Sequence, residues 1–285
     1  MSETPVTELE LVARSYEVDA GLELKPLTYM NWLQEIAWEA AAAGGVPPQW
    51  FLTRDIAPVF SVSRFEKQHP IRYGDRIIAR TWFSKMEGSL AHREYELRRA
   101  KDGKVVLHGR TEIILVNLRT RTPTDWGELV DRFKPNGVSF YKQYEPAAVT
   151  PVMETVSFQV ERLVQPEEID MARHVNNGFY LRWMTDALYS FLQPALGDKT
   201  DEARLQSVLL KFGSPITLGQ DVLISGQLAG VGDDISRWSF QVAPVSGSRR
   251  PASAELTFRW APEWSALLKP RVSADGTASG RWRRG

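Results

Sequence analysis

An internal repeat constrains this chain more than any other feature of its sequence. Three residues recur at a constant spacing of 151 positions, as the pairs Asp19 and Asp170, Tyr29 and Tyr180, and Trp32 and Trp183. A second signature, Pro-Ile-x-x-Gly, begins at Pro70 and again at Pro215, a spacing of 145. Two matched signatures, in the same order and at nearly one spacing, indicate that one domain has been duplicated.

The repeat divides the chain of 285 residues into two halves of ordinary domain size. We predict an N-terminal domain over residues 1–140, a linker over 141–153 and a C-terminal domain over 154–265. Residues 266–285 are rich in Gly, Ser and Arg, a composition that predicts a disordered tail.

Hydrophobic periodicity predicts the same elements in each half. Residues 29–43 and 177–192 carry apolar side chains at helical spacing, and both stretches are preceded by a predicted strand. The first of these strands is predicted at 11–18, after a polar arm over 1–10. Alternating segments after each helix predict four antiparallel strands. Each half is therefore predicted to be an α+β unit, with a long helix packed on a curved antiparallel sheet.

Composition removes several classes of function. Lys plus Arg equals Asp plus Glu, at 35 each, which predicts no attraction to nucleic acid or to a membrane surface. The chain has no cysteine, so disulfides, thiolate zinc sites and a cysteine nucleophile are excluded. No secretory signal, membrane-length apolar stretch, nucleotide-binding glycine loop or metal-spaced histidine cluster is found. We expect a soluble cytoplasmic protein without metal or cofactor.

The second copy carries a polar set that the first copy lacks. Asp170, His174, Asn176 and Asn177 lie within eight residues, just before the predicted helix. Glu23 stands at the position of His174, and Pro26 at that of Asn177. Such residues are often only a helix cap and a surface side chain. The first amides of a helix also lack partners within the helix, so the same place suits a developing oxyanion.

The residue pattern of this stretch resembles the signature of a known protein family. His174-Val-Asn-Asn, preceded by Asp170 and followed by Tyr180-x-x-Trp183, is similar to the signature of hot-dog-fold thioesterases. Two fused copies resemble the acyl-acyl-carrier-protein (acyl-ACP) thioesterases of bacteria and plant plastids, as do Arg14-Ser-Tyr-Glu-Val-Asp19 and Leu33-Gln34-Glu35. The resemblance implies tandem hot-dog domains that hydrolyse fatty acyl thioesters, on ACP or coenzyme A, to free acid and thiol.

The resemblance also implies one active site, in the second copy, and no cofactor. A fused pair of domains already forms the pseudo-dimer that single hot-dog chains build, so a monomer or a homodimer is expected. This chain departs from the family at two places. Family members commonly carry Asn where this chain has Ala172, and Glu or Cys just before the glycine that matches Gly219, where it has Thr217 and Leu218.

The chemistry that these residues allow leaves alternatives open. His174 could take a proton from water while Asp170 orients it, or the two could exchange roles. Amides near Asn177 and Gly178 would face the oxyanion, Gly178 would permit close approach of the substrate, and Asn176 would tie the loop down.

Two further functions compete with hydrolysis of thioesters. One is an acyl-thioester hydratase or dehydratase, although that family spaces its Asp and His by five residues with a proline between them. The other is a non-catalytic acyl-binding module, which Ala172 and Thr217 favour because two polar groups of the family site are missing.

Overall fold

The computed structural model describes residues 6–140, 149–151, 156–197, 203–246 and 251–260. The helices are α1 (Pro26–Ala43), α2 (Pro48–Leu52), α3 (Leu129–Phe133) and α4 (Asn177–Leu196). The strands of the first half are β1 (Thr7–Val12), β2 (Ile56–Lys67), β3 (Arg76–Glu87), β4 (Leu90–Arg99), β5 (Val105–Asn117) and β6 (Thr122–Pro123). Those of the second half are β7 (Thr150–Pro151), β8 (Ser157–Leu163), β9 (Arg204–Lys211), β10 (Asp221–Val231), β11 (Ile235–Pro244) and β12 (Ala252–Arg259).

All the strands belong to one antiparallel sheet, in which the two halves have the same topology. The order is β1-β3-β4-β5-β2 in the first half, and it continues from β2 into β9-β12-β11-β10 of the second half. β8 pairs with β10 and closes the second half as β1 closes the first. The predicted α+β class, with the strands of both copies in one long sheet, is confirmed.

The junction between β2 and β9 lies on a pseudo-twofold axis. Val62 pairs with Lys211 at one end, and Glu66 pairs with Ser207 at the other. Each of these pairs becomes the other when residues are exchanged at the 145-residue spacing of the repeat. β-bulges in the two junction strands recur at the same spacing, one at Ser61 and the other at Gln206. A duplicated ancestor accounts for bulges at matching places, since bulges are inherited features of a fold.

The long helices begin and end for different local reasons. α1 starts at Pro26, whose fixed φ and missing amide suit a first helical position, and α4 starts after the capping residue Asn176. Gly44 follows α1, and Gly197, with φ 55°, follows α4. The two helices contact each other and pack on the same sheet. The predicted adjacency of the two helices is confirmed.

The core divides into a large and a small cluster. The large one runs through both halves and holds side chains such as Trp183 and Trp238, each of which is buried. The small one lies in the first half alone, around Phe83, Trp126 and Phe133. Trp126 and Phe133 come from the segment after β5, so this segment covers one end of the first helix–sheet layer.

The prediction of a first strand over 11–18 is wrong. β1 covers Thr7–Val12, so four residues of the predicted arm belong to the sheet, and Ser15–Glu17 form a 3-10 turn. The Glu17 carboxylate accepts a hydrogen bond from the Arg14 amide and closes this turn, which ends the extended stretch. The predicted tail over 266–285 lies outside the described residues, as does most of the predicted linker over 141–153. The proposed domain limits therefore stay predictions.

Candidate active site

A narrow loop before α4 brings Asp170 and His174 side by side. The Asp170 amide donates to the His174 carbonyl at 3.0 Å, and Ile169 and Val175 form a β-bridge just outside this pair. Arg173 makes the reversal with a φ of 63°, in the left-handed region that non-glycine residues seldom adopt. The loop therefore holds a fixed shape at some conformational cost.

The Asp170 and His174 side chains face each other across a short gap. Nδ1 of His174 lies 3.7 Å from Oδ1 of Asp170, beyond hydrogen-bond distance but within range of a charge interaction. The Asp170 oxygen is fixed by the Ala172 amide, which donates to it at 2.8 Å. The imidazole is 36% exposed and the carboxylate 22%, so water reaches both groups.

The start of α4 is fastened to the helix of the other half. Asn176 Oδ1 accepts from the Gly178 amide at 2.9 Å, which confirms Asn176 as the helix cap. The same oxygen accepts from Nε2 of Gln34 in α1 at 3.1 Å, and the Asn177 side-chain amide donates to Oε1 of Gln34 at 3.4 Å. Gln34 thus positions both asparagines from across the pseudo-twofold axis.

Gly178 of α4 lies close to side chains of α1. A Cβ atom at this position would stand 2.8 Å from Leu27 and 2.9 Å from Asn31, both in α1. The close approach that this glycine permits is therefore between helices. Because the Gly178 and Phe179 amides donate to Asn176, Asn177 is the residue at the helix start whose amide has no acceptor among the described residues.

Comparison with protein families indicates which kind of protein carries this site. Residues 6–129 match the acyl-ACP thioesterase N-terminal domain, and residues 164–260 match the thioesterase-like superfamily. The two matches follow each other along most of the chain. The first half of the chain is thus similar to the acyl-ACP thioesterase N-terminal domain, and the second half to the wider thioesterase-like superfamily. This protein is a thioester hydrolase that acts on fatty acyl thioesters, which confirms the first of the three functions considered from the sequence.

Solved structures support the hot-dog fold of this thioesterase. A putative oleoyl thioesterase from Lactobacillus plantarum is 18% identical, with a TM-score of 0.76 over 92% of this chain and 98% of that chain. The 12:0-ACP thioesterase from Umbellularia californica is 18% identical, with a TM-score of 0.71 over 89% and 94%. An acyl-ACP thioesterase from Bacteroides thetaiotaomicron is 16% identical, with a TM-score of 0.70 over 89% and 98%. No curated protein sequence matches the thioesterase significantly.

The buried carboxylate of Glu168, which was not among the residues predicted from the sequence, supports the loop that carries Asp170 and His174. Glu168 is 2% exposed, and its carboxylate accepts from the Trp183 indole at 2.9 Å and the Gln165 amide at 2.8 Å. It also pairs with Arg162, and its carbonyl accepts from the Asn176 amide. Glu17 makes the matching contacts with Trp32 and the Arg14 amide in the first copy. The spacing between Glu17 and Glu168 is again 151, a signal that the sequence did contain.

The first copy has the same loop but fills it with ion pairs. Leu22 takes the place of Arg173 with a φ of 60°, and Asp19 and Glu23 take the places of Asp170 and His174. Glu23 is 7% exposed and pairs with the buried Lys67, while Arg204 of β9 binds Asp19 at 2.5 Å. The loop of this copy therefore holds both carboxylates in ion pairs, and it contains no histidine.

The two departures from the family pattern lie at the surface of the second site. Ala172 contributes only its backbone amide, which donates to Asp170. Thr217 donates its hydroxyl to Gln220 within its own turn, and Leu218 is 54% exposed beside it. The turn from Thr217 to Gln220 contains no carboxylate, so it adds no acid to the pair of Asp170 and His174.

The described residues contain neither a membrane-spanning helix nor a metal-binding cluster. No helix in this part of the chain is long and apolar enough to cross a membrane. No cluster of His, Asp and Glu in the same part could hold a metal ion.

Replacing Glu168 should affect stability and catalysis together, whereas replacing Glu17 should affect stability alone. Glu168→Ala removes charge-assisted hydrogen bonds at a buried site and should cost about 2–3 kcal/mol of unfolding free energy, whereas Glu17 is only half-buried and Glu17→Ala should cost less. Only Glu168→Ala loosens the loop that carries Asp170 and His174, so only it should lower kcat for acyl thioester hydrolysis, by about tenfold or more. Denaturant unfolding and steady-state kinetics measure the two effects. Equal kinetic effects of both variants would contradict a positioning role specific to Glu168.

Proposed function

We propose that this thioesterase hydrolyses fatty acyl thioesters of acyl carrier protein at one site, built from Asp170 and His174 before α4. One observation carries the assignment of a single site. The two copies have the same loop geometry, but only the second presents a solvent-accessible carboxylate and imidazole together. The first copy supplies Gln34 and the surface of α1 to the site.

His174 acts as the general base in the preferred assignment. It removes a proton from a water molecule as the water oxygen attacks the thioester carbonyl carbon. Imidazole is the side chain that most often serves as a general acid or base near neutral pH. Asp170 stands on the Nδ1 side of the ring, which orients the ring and stabilises the cation that forms. The alternative, with Asp170 as base and His174 as donor, uses the same geometry.

The Asn177 amide is the proposed donor to the oxyanion. It belongs to the first residue of α4, where the helix dipole favours negative charge, and no described residue accepts from it. Asn176 and Gln34 hold this residue in place. Collapse of the oxyanion breaks the carbon–sulfur bond, and the proton held by the base goes to the leaving sulfur.

Hydrolysis of an acyl thioester panel tests this proposal. Acyl chains of several lengths would be offered on both ACP and coenzyme A, and kcat/KM measured from released thiol. We expect turnover of fatty acyl thioesters, with higher kcat/KM on ACP than on coenzyme A at a matched length. Turnover only on coenzyme A would overturn the proposed carrier, and no turnover of any substrate would overturn the site. Sedimentation of the same protein would show whether it is a monomer or a homodimer, the two states that we propose.

A further inference from the structure

A buried arginine without a carboxylate partner lies in the helix–sheet layer of the first half. Arg93 of β4 is 3% exposed, and burial lowers the pKa of its guanidinium to about 10. Its Nε is buried without a hydrogen-bond partner, and Nη1 reaches only the Thr81 hydroxyl, at 3.5 Å. No acidic side chain among the described residues forms an ion pair with it. The Phe83 ring lies 3.9 Å away, but one such contact returns only part of the cost of dehydrating a guanidinium.

Arg93 continues a polar row across the inner face of the sheet. It pairs with Thr111 on β5, and Thr111 pairs with Ser63 on β2. Thr111 and Ser63 are each 1% exposed. The row separates the small core cluster around Phe83 from the large cluster around Phe65. The Ser63 and Thr111 hydroxyls lie 3.4 Å apart and can bond each other, but three adjacent buried polar side chains still stabilise the layer less than apolar ones would.

The second copy shows that the fold itself does not need this row. At the 145-residue spacing, Arg93, Thr111 and Ser63 correspond to Trp238, Leu256 and Val208. The latter three pair with one another in the same register, and all are buried apolar side chains. Selection on stability alone would favour such an apolar row in both copies.

The helix that packs over this layer, α1, also carries smaller side chains than α4 carries at the matching positions. Ala37, Ala40 and Ala41 of α1 correspond, at the 151-residue spacing, to Leu188, Phe191 and Leu192 of α4. In the second copy, Phe191 packs with Trp238 and Phe158 to fill the layer. Because these alanines carry less side-chain volume than their counterparts, α1 fills less of its layer than α4 fills of the layer in the second copy.

Pseudo-symmetry places this layer within reach of the catalytic loop, the loop that carries Asp170 and His174. Arg204, at the start of β9, contacts the loop of the first copy, and its counterpart at the start of β2 is Val59. The catalytic loop therefore faces the start of β2, and Ser63 lies four residues further along that strand. With about 3.3 Å per residue along a strand and about 4.8 Å between strands, Arg93 lies roughly 15 Å from this start. An extended fatty acyl chain spans such a distance.

We propose that Arg93 and its polar row form a subsite for a hydroxyl or keto oxygen on the acyl chain of the substrate. The inference rests on the proposed function, because the chain must enter from the catalytic loop. A guanidinium only donates hydrogen bonds, so its partner is an acceptor oxygen. Thr111 and Ser63 both donate and accept, and they match a hydroxyl group better than a hydrocarbon chain. The preferred substrate is thus an oxygenated acyl thioester.

Paired substrates test this subsite in the wild-type enzyme. Unsubstituted acyl thioesters would be compared with hydroxyacyl thioesters of equal length, with the hydroxyl moved along the chain. At one hydroxyl position we expect kcat/KM to exceed that of the unsubstituted chain by about 10- to 100-fold, the effect of a buried hydrogen bond to a charged group. Arg93→Met should remove this preference. Arg98→Met is the matched control, because Arg98 lies on the same strand but points to the partly exposed opposite face.

Binding of the free acids separates this inference from the proposed function. Calorimetry with a hydroxy fatty acid and its unsubstituted analogue should show the same preference in the wild type, and its loss in Arg93→Met. If these binding results are obtained while no thioester is hydrolysed, they support the subsite and contradict the proposed function. Absence of any preference in the wild type overturns the subsite without the need for a variant.

Stability measurements distinguish recognition from a structural role. Arg93→Met should unfold at the same temperature as the wild type or higher, because an unpaired buried charge is replaced by an apolar chain of similar length. A large loss of stability, with equal loss of activity on both substrates, would show that Arg93 only supports the fold. Protection of the wild type, but not of Arg93→Met, by inorganic phosphate without binding of the hydroxy acid would instead indicate an anion site and overturn the proposal.

Discussion

Asp170→Asn and His174→Ala should each lower kcat for acyl thioester hydrolysis by about 10²–10⁴-fold. This corresponds to roughly 3–5 kcal/mol of lost transition-state stabilisation. The expectation follows from the geometry, since the two side chains are 3.7 Å apart and no other acid or base of the loop faces them. The double variant should be little slower than either single variant, because residues that act as one unit are strongly non-additive.

The first copy offers a matched control for this experiment. Asp19 stands 151 positions before Asp170, and its Oδ1 accepts from the Glu23 amide in the same kind of loop. Asp19→Asn should therefore affect stability through Arg204 and leave hydrolysis within a few-fold of wild type. Thermal unfolding would confirm that every variant is folded. Wild-type rates in folded Asp170→Asn and His174→Ala would show that the reaction uses another site.

The repeat made much of the fold predictable. Residue spacings of 151 and 145 predicted two α+β copies, and the 145 spacing reappears in the strand pairing at the junction and in the matching bulges at Ser61 and Gln206. Period alone places both long helices within a few residues of their observed bounds. Local patterns succeed here because each element buries one face, so its hydrophobic period records its conformation.

Contacts across the pseudo-twofold axis could not be predicted in the same way. Gln34 and Asn176 are 142 residues apart, and neither residue type demands the other. The neighbour of Gly178 is α1, which begins 152 residues earlier. The glycine was recognisable from sequence alone, but whether substrate or protein approaches it closely was not. β1 was misplaced for a different reason: an alternating polar strand at the edge of a sheet reads like a solvated arm.

The buried ion pair of the first copy leads to the second large effect. Glu23→Gln should lower the unfolding free energy by about 3–5 kcal/mol, because it leaves the Lys67 ammonium buried without its partner. The two side chains are 9% and 5% exposed, so water cannot replace the missing carboxylate. Glu23→Met combined with Lys67→Met should recover most of this loss, since removing both charges together also removes the unpaired one. Denaturant unfolding of the single and double variants would measure the coupling.

The destabilisation caused by Glu23→Gln should also depend on pH. The direction of this dependence identifies Lys67 as the group that titrates. Burial lowers the pKa of Lys67 below its usual 10.5, and Glu23 opposes that shift, so Glu23→Gln should lower the pKa further. A base with a lowered pKa in the folded state releases its proton before the unfolded chain does. The stability deficit of the variant should therefore be full below the lowered pKa of the folded variant. It should shrink as pH rises from that pKa to the pKa of Lys67 in the folded wild type, which itself lies below 10.5.

Turnover by the Glu23→Gln variant decides what the first copy contributes. Under conditions where it is folded, its rate should stay within a few-fold of wild type, because Asp170 and His174 belong to the other copy. A deficit in stability that does not change with pH would show that Lys67 keeps its proton through another partner. A loss of activity as large as that of His174→Ala would mean that the ion-paired copy takes part in the chemistry, and that the proposal of one site per chain is wrong.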